Sequence, residues 1–327
     1  MIISRTPFRI SFAGGGSDLK EYYSNYGGAV LSVTIDKYVY LSMHPYFNDQ
    51  KIFLKYSHNE LVDKIDEIQH RIIRQVFTNL NISGVDFNSS ADIPSGTGLG
   101  SSSAFTSGLI NLSQAYLGRF INREAIAKAA CEVEIEQLGE PIGKQDQYAC
   151  AVGGLNFIEF KQDEQVVINK IHIDIDKQKE LESNLLMFYL GNTRSASAIL
   201  SEQRQNIISD EKKNNNLHKM VKLAYDLQKE LQTNNISTFG DILHAGWLYK
   251  KEMASQISNP QIDFYYEKAR AAGAEGGKLL GAGGGGFLLF YVQKEKQTAV
   301  RIALAELNEL PFRFDFSGST IVFADQK

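Results

Sequence analysis

The stretch "DIPSGTGLGSSSAF", residues 92–105, sets glycines at 96, 98 and 100 directly against three serines and then turns apolar. Glycines at that density free the backbone for φ > 0 and let another group approach closely. Serine at the head of an apolar-periodic run marks a helix start. A strand, a glycine loop and a helix N-terminus together make an anion site, since unpaired N–H groups and the helix dipole both favour negative charge. The competing reading is a tight loop-to-helix connection with a serine cap. A Walker A loop is excluded because Gly96-x-x-x-Gly100-Ser lacks the Gly-Lys-Ser/Thr ending, and a dinucleotide turn because the GxGxxG spacing in a βαβ frame is missing.

A second stretch, "LLGAGGGGFLLFYV" (279–292), contains GxGxxG at 281–286, yet a strand follows it instead of a helix. Four successive glycines cost folding entropy. A glycine-laden hairpin is one reading; packing against the first loop across a shared phosphate or sugar site explains the cost better. Carboxylates supply the remaining chemistry. Glu134 falls beside Ala130 and Val133, at the edge of the apolar stripe of a helix predicted over 123–138, where a carboxylate needs a partner. Lys128, Glu132 and Glu136 form a solvated ladder on another face. Asp146 has Lys144 two residues away, a charge that keeps a carboxylate ionised; alone, this is also the pattern of a surface or capping aspartate.

The elements that must position these groups follow from hydrophobic periodicity. "RISFAG" (9–14), "GAVLSVTID" (28–36) and "YVYLSMHPY" (38–46) read as strands, with a short helix at 18–26 capped by Ser17 or Asp18. A polar helix at about 60–80, a strand at 84–92, helices at 101–117 and 123–138, and strands at 154–160, 165–171 and 185–190 follow. Residues 195–273 read as mainly helical, broken by "SDEKKNNNLHK" (209–219). The end alternates: strand 277–281, strand 287–292, helix 294–308, then "FRFDF" and "TIVFA". That grouping suits a ferredoxin-like sheet with helices on one side. The fold class is α+β in two domains, residues 1–183 and 184–327.

The bulk numbers narrow the partners. The chain has 327 residues, enough for two domains. Its net charge of −4 excludes a global field for nucleic acid or a membrane surface. An anionic ligand must be held by a few local Lys or Arg residues. Cys131 and Cys150 are the only cysteines and read as small core residues of a reduced, cytoplasmic protein. The histidines are scattered without metal-ligand spacing. No apolar run reaches membrane-spanning length, and nothing in the pattern speaks to oligomeric state.

Three separated stretches, "TPFRISFAGGGSD", "IPSGTGLGSSSAF" and "GAGGGGF", resemble in order the three motifs of the GHMP small-molecule kinases. The segment "EIEQLGEPIGKQDQ" (134–147) resembles a fourth, the glutamate and aspartate of the galactokinase pattern. The matches run from residue 5 to 287. The resemblance implies a two-domain fold, with an N-terminal domain like ribosomal protein S5 and a ferredoxin-like C-terminal domain. It also implies ATP with Mg²⁺ and phosphoryl transfer to a hydroxyl. Within the family, "PFRISFAGGGSDLKEYY" and "IGKQDQYACAVGG" are most similar to the heptose 7-phosphate kinases, sugar 1-kinases on the GDP-heptose route to surface polysaccharide. L-fucokinases are the nearest rival, and non-catalytic galactokinase-like sugar sensors a more distant one.

Carried over residue by residue, the resemblance makes Asp146 the catalytic aspartate and Arg9 the arginine that supports the transition state. Lys144, where galactokinase has an apolar residue, is expected at a phosphate or as charge balance. Pro94, Gly96, Gly98, Leu99, Gly100, Ser101, Ser102 and Ser103 become the ATP phosphate loop. Glu134 and Ser102 share Mg²⁺, a salt bridge being the alternative for Glu134. Asp18 binds sugar hydroxyls, and Gly15 and Gly16 stand where galactokinase has Glu-His, leaving room for a longer sugar. Arg194, in "GNTRSASAIL" (191–200), is expected to clamp the substrate phosphate, and Gly283 and Gly284 to border the substrate.

Overall fold

The computed structural model describes residues 1–191 and 196–325. The chain opens with β1 (Ile2–Ala13), α1 (Lys20–Tyr26), β2 (Gly28–Pro45), β3 (Ile52–Lys55), β4 (Asn59–Val62), α2 (Arg71–Leu80) and β5 (Val85–Ala91). It continues through α3 (Ser101–Tyr116), α4 (Arg123–Cys131), α5 (Gln145–Val152), β6 (Leu155–Phe160), β7 (Val166–Lys170) and α6 (Ile175–Ser183). A second group comprises β8 (Leu185–Tyr189), α7 (Ala196–Ser209), α8 (Glu211–Gln232), α9 (Phe239–Lys251), α10 (Pro260–Ala271), β9 (Gly276–Leu279) and β10 (Phe287–Tyr291). Then come α11 (Gln297–Ala303), β11 (Asn308–Glu309), β12 (Phe314–Asp315) and β13 (Thr320–Ala324).

Among the described residues, one sheet runs β13-β1-β2-β5-β3-β4, with β6 and β12 also on β2 and β7 on β6. The length of β2 makes this possible. Gly28–Val33 pair with β6, while Val39–Pro45 pair with β5. The second sheet is antiparallel, in the order β11-β8-β10-β9. The strand β1 touches α3, α5, α8 and α9. From Thr6 to Ala13 it is buried without interruption. A strand covered on both faces loses its polar–apolar alternation, so Arg9 and Ser11 are carried inside.

The boundary expected at 183/184 falls just ahead of β8, the first strand of the second sheet. The tail departs from it: β12 and β13 leave the second sheet and pair with β2 and β1. β13 covers what would be an open edge of β1. Ser319 holds the return, its buried hydroxyl 2.9 Å from Thr6 Oγ1 and accepting from Asn111 Nδ2 at 3.1 Å. "FRFDF" and "TIVFA" therefore do not complete a ferredoxin-like grouping.

Three helix expectations also change. Residues 59–62 form a strand, and the helix expected over 60–80 starts only at Arg71. The break expected at 209–219 shrinks to Asp210, whose side chain accepts from the Lys213 amide and caps α8. The helix over 123–138 is α-helical to Cys131 and then widens to a π-turn, Glu132–Gln137.

Candidate active site

The two glycine loops meet backbone to backbone. A Cβ on Gly98 would run into the Leu280 carbonyl, one on Gly281 into Gly98 Cα, and one on Gly286 into the Thr97 carbonyl. Gly96, Gly98 and Gly100 all have positive φ, +76°, +86° and +75°. Gly100 is the N-cap of α3 and offers no side chain, so the amides of the first turn, residues 101–103, have no helical acceptor. Residues 101–103 line, with Gly96, Gly98 and Gly100, a cleft of about 480 Å³, a size suited to a small-molecule ligand. Pro94 and Leu99 stand behind this surface: Pro94 O accepts from Thr97 Oγ1 at 3.1 Å, and Leu99 O from the Arg9 amide at 3.0 Å. Gly283 lines the cleft, whereas the Gly284 amide is spent on Ile257 O.

Asp146 sits in the first turn of α5 and reaches β1. Arg9 Nε and Nη2 donate to its two oxygens at 2.8 and 2.7 Å, and Arg9 Nη1 donates to Gly98 O at 2.7 Å. Such a paired, charge-assisted contact fixes both groups. Arg9 is almost buried while Asp146 is a quarter exposed, toward the cleft. Asp18 lies alongside, accepting from the Gly16 and Gln145 amides and from Gln145 Nε2, at 3.0, 3.1 and 3.1 Å. Burial, then the neighbouring Asp146 charge, pushes its pKa up against those amide bonds. Asp18 is thus no helix cap; Leu19 holds that position, without a side-chain bond. Ser11 completes the network by donating to Gln145 Oε1 at 3.0 Å.

Lys144 does not join this group. Its ammonium bonds to Glu164 and lies 4.7 Å from the centre of the Tyr23 ring, away from the cleft. Residues i and i+2 at a helix start point to nearly opposite sides, so the cation two residues from Asp146 faces elsewhere.

Glu134 is fully buried in the π-turn. It accepts from Ser102 Oγ at 2.6 Å, Ser103 Oγ at 2.8 Å and Gln147 Nε2 at 2.8 Å. Burial pushes its pKa up, and these bonds oppose the shift. Among the described residues it has no ion pair, so the salt-bridge alternative has no partner there. Inserted π-turns recur where a side chain must be re-aimed; here the turn brings Glu134 under the cleft-lining serines. A buried carboxylate held only by neutral donors, beside a cleft hydroxyl, fits a divalent cation that takes its other oxygens from phosphates. No group of three or more His, Cys, Asp or Glu among the described residues forms a self-sufficient metal cage.

The sequence reading missed four cleft residues. Lys250, on α9, donates to Gly281 O; Lys278, on β9, donates to Phe12 O at 3.0 Å. Gln145 anchors Asp18, and Gln203 on α7 backs Gly16, where a Cβ would collide with its amide. Room at Gly16 is therefore already taken by Gln203, while the space at Gly15 opens toward Gln145 and Ser11. Only Lys278 left a signal, a charge inside the apolar run "GGKLLG". Arg194 lies outside the described residues. Both cysteines are buried free thiols.

Comparisons with known proteins bear on this geometry. A family profile described as "GHMP kinases N terminal domain" matches residues 67–154, and one described as "GHMP kinases C terminal" matches 227–310. The D-glycero-alpha-D-manno-heptose 7-phosphate kinase of Campylobacter jejuni is 33% identical over 310 residues, covering 90% of this chain and 91% of that one. The L-fucokinase/L-fucose-1-P guanylyltransferase of Bacteroides fragilis is 26% identical over 92% of this chain and 35% of its own length. A solved D-glycero-D-manno-heptose 1-phosphate kinase from Bacteroides thetaiotaomicron superposes with a TM-score of 0.81 at 25% identity, covering 100% of both chains. Both glycine loops, the Arg9–Asp146 pair and this likeness along the chain lead to one assignment: the protein belongs to the GHMP kinase family and is a sugar kinase that takes its phosphate from ATP.

Proposed function

We propose that this kinase phosphorylates the anomeric hydroxyl of D-glycero-D-manno-heptose 7-phosphate, giving the 1,7-bisphosphate. The observation that carries the chemistry is Asp146, held by Arg9 where the two glycine loops meet. There a hydroxyl and the γ-phosphorus of a nucleotide on the loop can be brought into line. The 33% identity to a heptose 7-phosphate kinase supports this acceptor over L-fucose.

In this reading the amides of residues 101–103 and the Ser101 hydroxyl hold the nucleotide phosphates, while the Ser102 and Ser103 hydroxyls are given to Glu134. Glu134 and Ser102 hold Mg²⁺, which supplies charge neutralisation at the phosphate oxygens. Asp18, fixed by Gln145 and the Gly16 amide, accepts sugar hydroxyl bonds. Asp146 takes the proton of the attacking hydroxyl. Arg9 keeps that carboxylate oriented. Arg194 is proposed to clamp the 7-phosphate; α7, which follows it, presents Ser197, Leu200 and Gln203 to the cleft.

The test is ADP release with heptose 7-phosphate, unphosphorylated heptose, L-fucose and galactose, with the product's phosphorylated carbon read by ³¹P NMR. The reading requires heptose 7-phosphate to give the highest kcat/KM and a C1 phosphate. Preference for fucose or free heptose removes the 7-phosphate acceptor while leaving a sugar kinase.

A further inference from the structure

The cleft contains more positive charge than the mechanism has used. Lys250 and Lys278 are 8% and 6% exposed, and both line the cleft. Each ammonium has three donors and, among the described residues, gives a hydrogen bond to one backbone carbonyl. Neither forms an ion pair among the described residues. Burial first, and then nearby positive charge, disfavours the charged form of both: Arg9 for Lys250, and Lys250 with Arg9 for Lys278, while Asp18 and Asp146 favour the charged form of Lys250. Arg9, Lys250 and Lys278 thus share a region with two carboxylates, Asp18 and Asp146, and among the described residues the one ion pair there is that of Arg9 with Asp146. Buried ammonium groups need an anion to be worth their desolvation.

The position of the cluster selects which anion. Lys250 is tied to Gly281 O and Arg9 to Gly98 O, and Gly98 and Gly281 are in direct backbone contact. The charge is therefore gathered at the loop junction and around Asp146, where the acceptor hydroxyl and the γ-phosphorus converge. The far end of a seven-carbon acceptor would instead lie toward Gly16, Ser197 and Gln203.

We propose that Lys250 and Lys278, together with Arg9, bind the phosphoryl group in transit between nucleotide and acceptor. They supply the charge that a Walker lysine supplies elsewhere, but from the C-terminal half of the chain. The inference rests on the kinase reading. In the step, the bond from γ-phosphorus to the bridging oxygen breaks and its electron pair leaves with ADP. A bond from the acceptor oxygen to phosphorus forms, and the acceptor proton passes to Asp146. The lysines face the non-bridging oxygens, where charge must be stabilised as both bonds change.

The experiment uses Lys250→Met and Lys278→Met, which keep the aliphatic length and remove a buried charge, so the fold is not asked to bury anything new. Magnesium complexes of AMP-PNP and ADP are titrated calorimetrically into wild type and variants, and kcat and acceptor KM are measured beside them. Wild type should bind AMP-PNP more tightly than ADP, and each variant should lose most of that preference. The variants' kcat should fall about 100-fold or more, with acceptor KM changed less than about threefold. Retained AMP-PNP preference with normal kcat overturns the inference. A tenfold rise in acceptor KM with kcat preserved also overturns it, assigning the lysines to the acceptor's own phosphate. If wild type phosphorylates no sugar offered, the kinase reading itself fails, while the AMP-PNP and ADP titrations still decide the lysines.

Discussion

Replacing Asp146 by Asn separates two roles that the structure joins in one side chain. The carboxylate takes two hydrogen bonds from Arg9, at 2.8 and 2.7 Å. Asn keeps one acceptor and turns an NH₂ toward the other Arg9 donor. Arg9, only 5% exposed along its side chain, would then keep one bond to the Asn oxygen and one to Gly98 O, without a carboxylate charge. Leaving a buried charge short of its partner costs about 1.5–3 kcal/mol, so Tm without ligand should fall by several degrees. Loss of the proton acceptor should lower kcat by roughly 10²–10⁴-fold, about 3–5 kcal/mol in the barrier. Nucleotide affinity should move the other way. A carboxylate that repels the γ-phosphate is gone and Arg9 is freed toward it, so Mg·AMP-PNP should bind as well as before or better, and should recover part of the lost Tm. The assays are coupled ADP release at saturating substrates, calorimetry with Mg·AMP-PNP, and thermal unfolding with and without it. A variant keeping more than a tenth of wild-type kcat would refute the reasoning. So would a loss of AMP-PNP binding that parallels the loss of turnover.

Glu134→Gln should shift the Mg²⁺ saturation curve of turnover to roughly tenfold or higher metal, because one anionic ligand is lost while the phosphates remain; an unchanged curve removes the metal role. Gly98→Ala puts a Cβ against the Leu280 carbonyl at φ +86° and should cost on the order of 1–3 kcal/mol while raising the KM for ATP; unaltered Tm and KM would show that loop contact is not needed. Burial, then Arg9, pushes the Lys250 pKa down to about 8 from 10.5, and Arg9, Lys278, Asp18 and Asp146 are the charged groups that face it. Its ammonium form therefore prevails below pH about 8, and kcat/KM should decline above it, with the limb displaced upward in Lys250→Arg. Because the folded value is the lower one, this lysine's contribution to stability should rise with pH between about 8 and 10.5; an activity limb unaffected by the substitution assigns it to another group.

The local grammar of the chain was enough for much of this. Glycine's freedom at φ > 0 and the serine-rich helix start are properties of short segments, so the loop at 94–103, α3 and the meeting of the two glycine loops could be read from residues alone. Glu134 at the rim of an apolar stripe was legible for the same reason, although the π-turn that aims it at Ser102 and Ser103 was not. Local pattern says which residues are buried but not which strand they join. The tail at 314–324 therefore looked like part of the nearer sheet, until pairing with β1 and β2 closed an open edge. Charge near Asp146 shows the limit most clearly. Lys144 is its neighbour in sequence, yet it turns to Glu164 across the helix start, while Lys250 and Lys278 arrive from more than a hundred residues away. Helix geometry separates residues two apart, and only the packing of α9 onto β1 and of β9 onto α9 brings distant cations together. Which cations line the cleft was thus decided by tertiary structure.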